Sequence, residues 1–102
     1  MEQDAFIKRL VQLRMAKDVS AREMSLDIGQ NENYINTIEN GRTFPSMSCF
    51  FLICEFLGIT PQQFFDLDMP EPSKINELTE AAKSLPSDSL DLLISMANKL
   101  KK

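Results

Sequence analysis

Residues 20–41, S-A-R-E-M-S-L-D-I-G-Q-N-E-N-Y-I-N-T-I-E-N-G, constrain the fold of this chain more than any other stretch. They read as two short helices joined by a tight turn at Gly29. Ser20 is placed to N-cap the first helix, and Glu23 three residues on completes the S-A-R-E pattern of a capping box. Met24 and Ile28, at i, i+4, give that helix an apolar stripe. Gly29 stops it, because glycine takes the left-handed conformation at a helix end at little cost. Asn31 is placed to cap the second helix. Ile35 and Ile38 point inward from it, and Asn40-Gly41 ends it. Asn31, Glu32, Asn33, Asn36 and Thr37 are left on the outer side, a surface of short polar side chains.

A helix, a glycine turn and a second helix with one anchoring edge and one hydrogen-bonding edge follow the plan of a DNA-binding helix-turn-helix. Four segments extend the match: S-A-R-E-M-S-L-D-I-G, N-Y-I-N-T-I-E-N-G-R, P-S and L-G-I-T-P-Q-Q-F-F. On these, the chain resembles the phage repressor and Cro type of helix-turn-helix regulator, also called the xenobiotic-response-element (XRE) family. The resemblance covers roughly residues 4 to 66, and the run I-x-x-I-E-N-G-R-x-x-P-S is its most specific part. It implies an all-α, five-helix repressor-like DNA-binding domain over residues 1–68, acting as a sequence-specific transcriptional regulator, a repressor, on double-stranded DNA.

The resemblance also assigns roles. Asn31, Glu32, Asn33, Asn36 and Thr37 become base-facing; asparagine can bond adenine in a bidentate way and glutamate can accept from cytosine. Ser20, Arg22, Tyr34, Asn40, Arg42 and Thr43 become phosphate-facing. Tyr34 can alternatively pack between helices, and Arg42-Thr43 can be an ordinary polar loop. Arg14 and Glu39 fall where family members carry a salt bridge between the first helix and the recognition helix; the alternative is two solvated charges. Ala21 stands where many members have glutamine, so that contact is not expected.

Elsewhere the pattern is also helical. Asp4–Lys17 reads as a first helix with Phe6, Ile7, Leu10, Val11 and Leu13 inward and Met15 at the margin. Pro45 bars helix at Phe44, and Ser46 caps a fourth helix ending at Leu57. Its inward stripe is Met47, Phe50, Ile53, Cys54 and Leu57. Phe51, Leu52 and Phe56 are left over and need a cover, as does Leu26. Thr60 caps a short fifth helix with Pro61 at its first position. A linker around Pro70 and Pro72 follows. Residues 69–102 then read as a linker and a helical hairpin, Lys74–Leu85 and Leu90–Leu100, that either covers the fourth helix of its own subunit or forms a homodimer.

Composition limits the alternatives. With no histidine and two cysteines among 102 residues, no metal site is expected. Cys49 and Cys54 are expected as unbridged thiols. The three glycines all follow helical patterns, leaving none for a phosphate-cradling loop. No nucleophile elbow is present. No enzyme, no cofactor and no small-molecule effector site is expected. No basic-then-apolar leader opens the chain and no run is long enough to span a bilayer, so the expectation is a cytoplasmic protein. The net charge of −4 is divided evenly: residues 1–60 hold six basic and eight acidic side chains, and the remainder five and seven. Phosphate contacts must therefore come from a few placed cations and from helix N-termini. The acidic balance and the surplus apolar face also fit a protein-only interaction module.

Overall fold

A computed structural model describes residues 1–101. Among them are seven helices and no strand: α1 (Gln3–Ala16), α2 (Ala21–Asp27), α3 (Tyr34–Glu39), α4 (Met47–Leu57), α5 (Pro61–Phe64), α6 (Pro72–Ala82) and α7 (Ser87–Leu100). The first five enclose one core. Phe6, Leu10 and Leu13 from α1 meet Met24 and Ile28, Ile35 and Ile38, and Phe50, Ile53, Cys54 and Leu57 from α4. Phe64 closes the base, with its ring centroid 5.0 Å from Phe6 and 5.1 Å from Phe50. Three aromatic side chains thus join α1, α4 and α5.

Local chemistry sets the element ends. The hydroxyls of Ser20, Ser46 and Thr60 each accept a backbone N–H three residues on. Only Thr60 heads a complete capping box, because the Gln63 side chain accepts the Thr60 N–H in return. At Ser20 the reciprocal bond from Glu23 is not formed, so half of the expected box is present.

Three expectations are corrected. The recognition helix begins at Tyr34, not at Asn31: the Asn31 carboxamide oxygen accepts the Asn33 N–H in a local turn and caps no helix. Met47 lies at the first turn of α4 and is exposed, because α4 meets the core only from Phe50 onward. The hairpin does not cover α4. Phe51 and Leu52 remain exposed, and α7 has no buried residue. The hairpin instead projects, giving a molecule 50 Å long and 22 Å across its narrowest axis. Its root is held by Asn76, whose side chain donates to Gly58 O at 2.9 Å and meets the Gln63 carboxamide.

Arg9 is the largest side chain in the interior, 1% exposed. Its Nε donates to Phe64 O at 2.6 Å. Its Nη2 lies within 2.7–2.9 Å of the carbonyls of Gln63, Asp66 and Met69, and its Nη1 donates to Gln12 at 2.8 Å. The guanidinium thus supplies a donor to the carbonyls of Phe64 and Met69, adds a second one to those of Gln63 and Asp66, which already accept backbone N–H groups, and ties the linker to α1. Burial pulls its pKa below the ordinary arginine value, and the charge of Asp66 pulls it back. Arg9→Ala leaves the Phe64 and Met69 carbonyls without their donor. It is expected to lower stability by about 3 kcal/mol in urea denaturation, with Arg9→Lys recovering only part, since an ammonium cannot reproduce the fork.

Candidate nucleic-acid interface

The turn between α2 and α3 is built by backbone geometry. Gly29 sits at φ +80°. Its N–H donates to Leu26 O at 3.0 Å and the next, from Gln30, to Ser25 O at 2.9 Å. These are the two bonds of a Schellman motif, and they fix the angle at which the chain leaves α2. Ser25 completes the joint from a fully buried position. Its hydroxyl donates to Ala21 O at 2.7 Å and accepts the Ile35 N–H at 2.9 Å. An orphan donor in the first turn of α3 is thereby satisfied by α2.

α3 is only six residues long, and its inner edge is wholly buried at Ile35 and Ile38. Its far end is clamped to α1. Arg14 Nε and Nη2 donate to the two carboxylate oxygens of Glu39 at 2.7 and 2.9 Å, and Nη1 donates to Val19 O at 2.9 Å. The pair is largely shielded, with side chains 16% and 11% exposed. The Glu39 hydrogen bond holds Arg14 above its ordinary pKa.

Asn31, Glu32, Asn33 and Asn36 are all exposed, and Thr37 is half-buried. The Thr37 hydroxyl donates to Asn33 O at 2.8 Å, which commits its proton and leaves it only acceptor capacity. Ser20, Arg22, Asn40, Arg42 and Thr43 are exposed as well. Arg22 is not isolated: its Nε meets Glu32 at 3.0 Å, so a residue expected at phosphate and one expected at bases are joined in a solvent-exposed pair. Arg42 and Thr43 follow Gly41, whose turn is the same two-bond motif, with Arg42 N–H on Thr37 O. The N-terminus of α1 reaches this turn through Gln3, which donates to Gly41 O at 3.2 Å.

Tyr34 behaves differently from the other phosphate candidates. Its ring is half-buried against the core and its hydroxyl lies beside the Cys49 thiol at the start of α4. Gln30 donates to the same thiol at 3.4 Å. The geometry is that of the packing alternative, a strut between α3 and α4. Burial, and then Cys49, push the Tyr34 pKa up to about 12, while the Tyr34 and Ser46 hydrogen bonds lower that of Cys49. Cys54 is buried and pushed up to about 11. Both cysteines are free thiols.

Sequence reasoning did not assign Arg9 or Ser25. A signal was available for each. Arg9 stands three residues after Phe6 and four before Leu13, on the apolar side of α1; Ser25 stands three before Ile28, on the inner side of α2. A polar residue within an apolar stripe marks a buried hydrogen-bonding role.

Arg14→Ala is expected to cost about 2 kcal/mol, from charge-assisted bonds lost within a shielded pair; an unchanged denaturation midpoint would contradict the clamp. Tyr34 is the only tyrosine and there is no tryptophan, so its ionisation can be followed by ultraviolet absorbance. The folded pKa is raised, so the unfolded chain loses this proton first. Stability is therefore unaffected by this group below about pH 10 and falls as pH rises through about 12.

A family model described as helix-turn-helix (HTH_3) covers residues 10–64. No curated protein and no solved structure matches the chain. The matched span begins inside α1 and ends at the last residue of α5, so it takes in the clamp, the glycine turn and α3 together.

Proposed function

We infer that this chain, which belongs to the XRE-type helix-turn-helix family and is thus a DNA-binding transcription regulator, is a sequence-specific repressor that reads the major groove with α3 and the turn before it. One observation carries the reading. A helix too short to stand alone is held at both ends and along one edge, while Asn36 on its other edge and Asn31 and Asn33 in the turn before it are exposed to solvent. Asn36, on α3, and Asn31, Glu32 and Asn33, in the preceding turn, take the base-facing roles, with Thr37 beside them as an acceptor. Ser20, Arg22, Asn40, Arg42 and Thr43 take phosphate. Tyr34 acts from behind, by fixing α3 against α4.

The DNA-binding unit spans residues 1–68, and residues 69–102 are the linker and hairpin of a homodimer. A pair of subunits places two reading helices on half-sites one helical turn apart, roughly 34 Å, so the operator is a short palindrome. The protein works in the cytoplasm as a binding protein without catalytic chemistry, cofactor or small-molecule effector. The exposed Phe51 and Leu52 on α4 favour a second reading, in which a protein partner docks there.

Selection of random double-stranded DNA at low salt, with sequencing of the retained fraction, tests the first reading. An enriched palindrome with affinity falling steeply in salt is the expected result; folded protein that enriches nothing would shift the weight to the α4 face. On the selected operator, Asn36→Ala is expected to cost roughly 1–3 kcal/mol against cognate DNA and little against scrambled DNA. Arg42→Ala is expected to weaken both equally and to reduce the salt slope by about one.

A further inference from the structure

DNA binding gives the α6–α7 hairpin no task of its own, yet α7 has no buried residue. The chain exposes 7096 Å², whereas a compact monomer of 11.6 kDa exposes about 5,800 Å². Its radius of gyration is 16.3 Å, against roughly 13 Å for a compact chain of this length. A standard interface covers about 800 Å² per partner, so the surplus is enough to supply one.

α7 carries two apolar stripes. Leu90, Leu93 and Ala97 turn towards α6 and line an open groove of about 430 Å³ between the two helices. Leu92, Met96 and Leu100, at i, i+4, i+8, form a separate stripe along the flank of the helix and are 67%, 54% and 75% exposed. Asp88 and Lys99 lie eleven positions apart, close to three full turns, and so share one edge of that second stripe. Neither takes part in an ion pair among the described residues.

A two-fold axis perpendicular to the helices brings the same edge of each together with direction reversed. In that arrangement Asp88 falls opposite the partner's Lys99 at both ends of the contact, and Leu92 falls opposite the partner's Met96. A two-fold axis along the helices, which makes them parallel, would instead set this edge of one helix against the opposite edge of its partner and leave Asp88 and Lys99 on opposite sides of the contact. We propose that the occupant of this stripe is a second copy of the chain, with the two α7 helices antiparallel along Leu92, Met96 and Leu100 and with reciprocal Asp88–Lys99 pairs fixing the register. The proposal rests on the two-copy reading above and gives it a surface and a direction.

Sedimentation velocity of the full chain, without DNA, is the test. The parent sediments as a dimer. Met96→Glu, at an exposed position that circular dichroism can verify as still helical, sediments as a monomer. Asp88→Lys and Lys99→Asp each replace two attractions by two repulsions, and each weakens the dimer on the order of 10-fold. The double reversal Asp88→Lys/Lys99→Asp restores it. That rescue cannot come from the helix itself, because a cation at the start and an anion at the end both oppose the helix dipole. A parent monomeric at its highest soluble concentration, a Met96→Glu dimer, or a double reversal no better than the single ones would each overturn the proposal. A dimer that binds no DNA sequence would overturn the regulator reading and leave this one standing; a monomer that binds its operator would do the reverse.

Discussion

A helix of six residues has no stability of its own in water, since isolated helices shorter than about 12 residues are marginal even in favourable sequences. α3 is such a helix, and the architecture can be read as the set of supports that make it persist. Ile35 and Ile38 press it into the core. Ser25 receives its first-turn N–H, and Arg14 grips its last carboxylate in two bonds. Tyr34 braces it against α4. The partners in these supports lie on different elements, so the stability of α3 depends on α1, α2 and α4 together. The same fact makes its outer edge rigid, and rigidity cuts the ordering cost that binding would otherwise carry.

The charge pattern follows from those supports. Of the six basic side chains in residues 1–60, Arg9 is consumed by the carbonyls at the end of α5 and Arg14 by Glu39. Arg22 meets Glu32 at the surface, and Lys17 lies over the Phe56 ring at 5.7 Å. Little cationic charge is left for a phosphate backbone, so a single subunit has only modest electrostatic attraction to offer. Contacts through backbone N–H groups and short polar side chains gain relative weight. The acidic chain and its DNA-binding family are thus reconciled by geometry: cations serve the fold first and DNA second.

Much of this was legible in residues 20–41. Gly29, the two isoleucines and the asparagines are periodic and punctuated, and those are local signals: a left-handed residue, a 3.6-residue repeat, a polar edge. The start of α3 was misread at Asn31 because an asparagine that closes its own turn and one that caps a helix carry the same residue type. Met47 was misread because periodicity assigns a face to a helix without saying where along its length the core begins. Arg9 and Ser25 were passed over because a charged or hydroxylated side chain in a stripe acquires its meaning only from the distant carbonyls and amides that reach it. The hairpin posed a different difficulty: its apolar stripes announce a need for burial and leave the direction of that burial open.

The sequence by itself determined the helical content, the glycine stops, the anchoring isoleucines and the residue types offered to a ligand, because each of these depends on neighbours within about one helical turn. The tertiary structure alone decided that Arg9 is interior, that Ser25 bridges two helices, that Tyr34 supports α3 from behind, and that the hairpin leaves α4 bare. Those outcomes rest on contacts between residues far apart in the chain. Such contacts form only where the packing of every other element allows them, and no local pattern encodes that sum.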